Sequence, residues 1–267
     1  MIPYSFNYKR AGSVEEAVAM LAASPEGKLL AGGQTLIAAM KMRLANPSDL
    51  IDISGIKALN YIRATANAVH IGAATTHWEV ASSTELAKAI PALAHTASVI
   101  GDPAVRHKGT LGGSVANNDP AADYPAAVLG LGATITTNRR AIAADDFFQG
   151  MFTTALEEGE IVTEVAFPIP QKAGYKKFGN PASRYAMAGV FVARFQDGSV
   201  RVAVTGAGSC VFRVPQMEAA LAARFTPDAV ADIAVSADGL NSDIHGSAEY
   251  RANLVTVMAK RAVAEAA

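Results

Sequence analysis

The first strong pattern along the chain is helical. Val14, Ala17, Val18 and Leu21 recur at helix spacing, and Ser13-Val14-Glu15-Glu16 at their head has the form of a capping box, so an amphipathic helix is predicted there. The period then shortens. Lys28-Leu29-Leu30-Ala31 reads as a short buried strand, Thr35 to Met42 as a helix that Thr35 is placed to cap, and Leu50-Ile51-Asp52-Ile53 as a second strand. Asn46-Pro47 ends the helix between them, which makes residues 28 to 53 a compact βαβ unit. Alternation in Ala68-Val69-His70-Ile71-Gly72-Ala73 predicts another strand. Thr76-His77-Trp78-Glu79 is a second capping box, opening a helical stretch that runs with interruptions to Ile100, with His77 and Trp78 read as structural.

Ala126 to Ile135 is the longest nearly all-apolar run and must be core, and Asp145 to Phe148 and Glu160 to Phe167 continue the mixture of helix and strand. Pro168, Pro170 and Gly174 then break the pattern, which places a domain boundary there and divides the chain into residues 1–174 and 175–267. Beyond it, Met187 to Phe195 and Ser199 to Gly206 flank Asp197-Gly198, a hairpin signal. Helical pattern dominates from Pro215 onward, ending in a helix with Tyr250, Leu254, Val257 and Met258 on one face. The fold class is α+β, with a small antiparallel sheet and helices as the second domain.

Composition removes several function classes. A chain of 267 residues, 51% apolar and 18% charged, is long enough to bury a large core in two domains. A net charge of −1 argues against broad binding to nucleic acid or a membrane surface. The single Cys210 makes no intrachain disulfide, structural zinc site or iron–sulfur cluster, and reads as a small buried residue. Histidines 70, 77, 95, 107 and 245 show no metal-binding spacing, so no metal site is assigned. The first ten residues lack the apolar segment of a signal peptide and no run is long enough to cross a bilayer, which makes the cytoplasm the expected location.

The chemistry is concentrated in two glycine pairs, Ala31-Gly32-Gly33-Gln34-Thr35 and Thr110-Leu111-Gly112-Gly113-Ser114. Glycine carries no Cβ and tolerates positive φ, so consecutive glycines let main-chain N–H groups approach a phosphate closely. A lone pair is more often a tight turn or a helix C-cap than an anion cradle. Neither the Gly-x-Gly-x-x-Gly fingerprint nor a P-loop Lys-Ser/Thr is present, which argues against an ordinary Rossmann site and against ATP hydrolysis. What remains is a dinucleotide held between two separate loops.

With both loops, Asp102-Pro103-x-x-Arg106 ahead of the second, the opening Met1-Ile2-Pro3, the late Ala248-Glu249-Tyr250-Arg251 and the two-domain order, the whole chain resembles the FAD-binding medium subunits of the molybdenum hydroxylases. It is most similar to the carbon monoxide dehydrogenase branch and more distantly to the flavin domain of xanthine dehydrogenase. The resemblance implies a PCMH-type FAD-binding domain of two subdomains, with the cofactor extended between them. It implies pyrophosphate contacts from Ala31, Gly32, Gly33, Gln34 and Thr35, with Leu36 beside them at the cofactor, and from Thr110, Leu111, Gly112, Gly113 and Ser114. It further implies polar contacts from Asn117 and Asp123, and a flavin-ring environment of Ile100, Ile161, Val162, Lys177 and Tyr185. Asp123, before Tyr124-Pro125, also reads as a helix N-cap, and Gly179-Asn180-Pro181-Ala182 departs from the basic sequence usual after the lysine. Gln34 stands where neither His nor Cys can anchor the flavin, so the FAD is expected to be non-covalent.

The partners implied are a large molybdopterin subunit that oxidises the substrate and a small subunit with two 2Fe–2S clusters, in a dimer of heterotrimers. This chain's FAD would collect the electrons. The substrate (carbon monoxide, an aldehyde or an N-heterocycle) and the acceptor (NAD, quinone or oxygen) stay open. Two rival readings also stand at this point: a self-sufficient flavoenzyme of the same superfamily, and a non-catalytic scaffold.

Overall fold

The computed structural model describes residues 2–266. The first layer is built from β1 (Asn7–Arg10), α1 (Val14–Ala22), β2 (Lys28–Leu30), α2 (Leu36–Lys41) and β3 (Asp49–Asp52), with the strands in one parallel sheet of order β1-β3-β2. Every residue of the central β3 is buried, as expected for a strand covered on both faces. The predicted βαβ unit is therefore present. Strand β1 was not predicted, because its side chains are largely exposed and its pairing partner lies more than forty residues away.

The caps of this layer differ in detail from expectation. Ser13 Oγ accepts from Glu16 N at 3.2 Å, but the Glu16 carboxylate accepts from Gly12 N at 2.7 Å, so the return bond lands one residue early. Thr35 occupies the N-cap position of α2 without capping it. Its backbone is already helical (φ −98°, ψ −52°) and the ladder starts earlier, with Ile37 N donating to the Gly33 carbonyl at 3.0 Å. The hydroxyl is thus not needed for the helix.

The second layer begins with β4 (Ile62–Ala64) and β5 (Ala68–Gly72) and continues through five short helices: α3 (His77–Ser82), α4 (Thr84–Ala89), α5 (Pro91–Ser98), α6 (Pro103–Arg106) and α7 (Leu111–Asn117). The capping box at Thr76 forms in both directions, with Thr76 Oγ1 accepting from Glu79 N at 3.2 Å and Glu79 Oε2 accepting from Thr76 N at 2.8 Å. Ser83 and Pro91 restart the helix twice, which accounts for the predicted interruptions. After α8 (Tyr124–Gly130) the long apolar run changes from helix to strand at Gly132, whose φ is +59°. It continues into β6 (Thr134–Thr137), followed by β7 (Ala141–Ala143), α9 (Ala144–Phe147), the small pair β8 (Phe148–Gly150) and β9 (Thr153–Thr154), and β10 (Val162–Pro168). Strands β4-β5-β10-β6-β7 form one antiparallel sheet.

The third layer is the antiparallel sheet β11 (Lys172–Gly179), β12 (Ala186–Arg194), β13 (Val200–Thr205) and β14 (Phe212–Arg213), with α10 (Pro215–Ala223) and α11 (Ala248–Glu265) packed on it. Strand β11 crosses residue 174, where the sequence pattern places the domain division. The hairpin at Asp197-Gly198 forms as expected, with Gly198 at φ +84°. Its far face buries Val190, Val192, Val202 and Val204 against Leu254, Val255 and Met258. Its near face joins the core beneath the second layer, where Phe191, Ala193 and Ala203 meet Tyr124, Ala127 and Val128.

The C-terminal reading needs two corrections. Apart from a single 3-10 turn at Pro227–Val230, residues 224–247 are not helical. The buried face of α11 is also rotated from the predicted one: Tyr250 is 43% exposed and Val257 only half-buried. Ala252, Ala259 and Ala262 are inside, where their small side chains allow close approach to the sheet, and Arg251 is buried among acceptors. Its guanidinium donates to the carbonyls of Met187 and Gly206 and to Asp243.

Candidate cofactor cleft

A cleft of about 840 Å³ runs between the three layers. All the site residues singled out from the sequence line it except Leu111 and Lys177. Leu111 points into the core beneath α7. Lys177 lies behind the cleft wall, its Nζ 2.9 Å from Asp123 Oδ2.

The two glycine loops meet at one end, and they are built differently. The first is a true loop, with Gly33 at φ +70°, and the N–H groups of Gly32, Gly33, Gln34 and Thr35 have no partner among the described residues. Such a row of free donors suits a phosphate. The second pair is not a turn before a helix, as its sequence suggests, but the first turn of α7 itself. Its N–H groups are committed: Leu111 to Thr75 O, Gly112 to Ala73 O, Gly113 to the capping Thr110 Oγ1 and Ser114 to Thr110 O. The second loop therefore offers a flat surface and the Ser114 hydroxyl rather than a row of main-chain donors. The loops pack so closely that a Cβ on Gly32 would lie 2.0 Å from the Lys108 carbonyl oxygen.

Asp102-Pro103-x-x-Arg106 explains how this contact is held. Asp102 Oδ1 accepts from Val105 N at 3.0 Å, Pro103 occupies the first turn of α6, and Arg106 donates back to the Ile100 carbonyl at 2.9 Å. The motif fixes Ile100 on the cleft wall and delivers Lys108-Gly109 against Gly32. Ile100, Leu156, Ile161 and Val162 give the cleft an apolar side. Tyr185 lies in the loop joining β11 to β12, a turn pinned by Asn180, whose Oδ1 accepts from Ala182 N at 2.9 Å. Burial, with the charges of Asp119 and Asp123, raises its phenol above the ordinary tyrosine range.

Asp123 does not cap α8. Its backbone is helical, and its carboxylate instead accepts from Tyr175 Oη and Lys177 Nζ. The segment leading to it is fastened to the third layer, with Thr205 Oγ1 donating to the Ala122 carbonyl at 2.6 Å and Gly206 N to the Pro120 carbonyl at 2.8 Å.

Several cleft residues escaped the sequence reading, including Lys28, His77, Asp119, Glu160 and Arg184. Arg184 has φ +62°, an uncommon conformation for a residue with a Cβ, and its position beside Tyr185 was the available signal. His77 is buried, and burial together with the charge of Arg106 pushes its pKa down to about 4, so the imidazole is neutral at pH 7. Trp78, by contrast, is 45% exposed and stacks on His107 with ring centroids 4.5 Å apart. Cys210 is half-buried rather than buried, its Sγ 3.6 Å from Asn118 Nδ2.

Glu160 supplies a test of the cleft's rim. Arg140, Thr137 and Glu157 N surround its carboxylate, and the Arg140 hydrogen bond leads in lowering its pKa from 4.5 to about 2. A depressed carboxylate stabilises the fold above its unfolded pKa and loses that contribution as pH falls through the folded one. Glu160→Gln is therefore expected to lower the urea midpoint at pH 7 and to flatten its fall between pH 4.5 and about 2. Parallel pH dependence in both proteins would show that the pair contributes nothing.

Among the described residues no group of three or more His, Cys, Asp or Glu stands together, and no helix is long and apolar enough to cross a membrane. Comparison with known proteins agrees with the geometry. Residues 4–170 match the family described as the FAD binding domain in molybdopterin dehydrogenase, and residues 173–266 match the CO dehydrogenase flavoprotein C-terminal domain. The chain is 36% identical over 281 residues to the glyceraldehyde dehydrogenase medium chain of Sulfolobus acidocaldarius, covering 100% of both. It is 36% identical to the carbon monoxide dehydrogenase medium chain of Hydrogenophaga pseudoflava, covering 98% of this chain and 97% of that one. A solved structure of Cu,Mo-CO dehydrogenase in its cyanide-inactivated form contains a chain superposing with a TM-score of 0.88 at 34% identity, over 99% of this chain and 98% of that one. The chain thus belongs to the FAD-binding flavoprotein family of the molybdopterin dehydrogenases and carries both of its domains in order.

Proposed function

We propose that this chain is the FAD-carrying electron-transfer subunit of a cytoplasmic, multi-subunit molybdenum hydroxylase. It takes electrons from the 2Fe–2S clusters of a small partner and passes them to a terminal acceptor, while a large molybdopterin subunit oxidises the substrate. The observation that carries this reading is the row of free main-chain donors at Gly32 to Thr35 abutting the flat first turn of α7, at the end of a cleft long enough to be lined by all three layers. Bound there, FAD supplies a group that accepts electrons singly and passes them on in pairs. The chain's own part is to hold it: loop N–H groups and Ser114 toward the pyrophosphate, Asn117 and Asp123 along the cleft, and Ile100, Ile161, Val162 and Tyr185 around the ring.

The two relatives support a division of labour. Medium chains of a glyceraldehyde dehydrogenase and of a carbon monoxide dehydrogenase are equally similar to this one, although those enzymes are named for unlike substrates. Substrate choice is accordingly assigned to another polypeptide.

Gln34, whose Nε2 donates to the Gly32 carbonyl at 3.3 Å, leaves the first loop without a His or Cys to bond the flavin. The purified assembly is therefore expected to be yellow, with one FAD per chain released intact by acid or heat. Flavin that stays on the denatured polypeptide would contradict the non-covalent assignment. A colourless preparation that cannot be reconstituted with FAD would remove the functional reading altogether.

A further inference from the structure

The third layer holds one carboxylate of the cleft wall from behind. Asp123 is 4% exposed yet lines the cleft, and its carboxylate is gripped by two neighbours of alternate register on β11, Tyr175 at Oδ1 and Lys177 at Oδ2. Tyr175 is itself fully buried, and the Lys177 side chain is 10% exposed. Residues two apart on a strand share a face, so one strand of the C-terminal domain presents both donors to one carboxylate of the FAD-binding domain.

We propose that Lys177 and Tyr175 are positioning residues that act on the cofactor through Asp123, fixing both the direction and the charge of this buried carboxylate of the cleft wall. The proposal rests on FAD occupying this cleft. It reassigns Lys177 from the flavin's surroundings to the carboxylate behind them, where the salt bridge places it. Each oxygen of Asp123 holds one donor and keeps a lone pair, which an ionised carboxylate can offer to a hydroxyl or N–H of the cofactor. A protonated carboxyl is a poorer acceptor.

The balance is set locally. Burial raises the Asp123 pKa, while the Lys177 charge, the Tyr175 hydroxyl and the charge of His95 on α5 act against it. The other titratable groups facing it are Tyr124 on α8, and Asp119 and Tyr185 at the cleft mouth. Losing Lys177 leaves burial in control, so the carboxyl takes up a proton at a higher pH than in the native protein.

The test is FAD affinity as a function of pH, measured on the complete assembly stripped of flavin and titrated with FAD, for the native protein, Lys177→Met and the milder Tyr175→Phe. Lys177→Met is expected to weaken binding about tenfold at pH 7. It should regain affinity as pH rises, with Tyr175→Phe showing the same shift to a smaller extent. Affinity that is native-like in both variants, or reduced equally at every pH, would overturn the proposal, since loss of packing alone moves no titration midpoint. Native protein that binds no FAD would instead overturn the cofactor assignment itself, so the two failures are distinguishable.

Discussion

Gly113→Val is expected to empty the cleft of FAD while the fold survives, weakening binding on the order of 100-fold, the scale of one or two lost hydrogen bonds to a charged group. A Cβ at Gly113 would lie 2.9 Å from Thr110 Oγ1 and 3.7 Å from the Ala31 Cβ, in the seam where the two loops face each other. Thr110 can swing its hydroxyl aside at the cost of a helix cap, about 1 kcal/mol. In the proposed binding mode the valine methyl groups would take space that a pyrophosphate needs to reach the free N–H groups of the first loop. The neighbouring glycines are poorer tests. Gly33 adopts φ +70°, so any side chain there adds backbone strain of roughly 1–2 kcal/mol. A Cβ on Gly32 would collide with the Lys108 carbonyl and separate the loops outright. Flavin titration together with circular dichroism checks the outcome. Native FAD affinity in a folded Gly113→Val protein would place the pyrophosphate elsewhere.

What could be read from the sequence follows from how local its causes are. The capping box at Thr76, the hairpin at Asp197-Gly198 and the β2-α2-β3 unit are each decided within a few residues, and all three form. Strand β1 exists because β3 pairs with it from beyond three intervening elements, and its exposed side chains carry no apolar alternation to announce it. Gly112-Gly113 reads as a turn because glycine disfavours helix, yet packing of α7 against Ala73 and the Thr110 cap override that preference. The phase of α11 is hidden for a related reason: alanines and an arginine share its buried face with Leu254, Val255, Met258 and Val263.

The site divides in the same way. Both loops announce themselves by paired glycines, and Gly32 needs its missing Cβ to lie against Lys108-Gly109 just ahead of the second loop. The resemblance supplied Asp123, but the partners of its carboxylate lie 52 and 54 residues away, and the alternative role as a helix cap looked equally good locally. His77 and Glu160 reach the cleft through capping and salt-bridge geometry that gives no sign of cofactor contact in the sequence.

Electron delivery carries the other large expected effect. The chain holds one cysteine in 267 residues and so builds no cluster of its own; on the proposed reading, its flavin therefore draws substrate electrons through a partner. Separating the partner should slow flavin reduction on the order of 100-fold or more, because the donor is no longer held beside the acceptor. The decisive measurement is anaerobic rapid mixing of one candidate substrate with the isolated, FAD-loaded chain and with the complete assembly, following flavin absorbance. Bleaching confined to the complete assembly, with at most slow activity toward artificial acceptors in the isolated chain, is the expected result. Rapid bleaching of the isolated chain by substrate would contradict the electron-transfer role and make the protein a self-sufficient flavoenzyme.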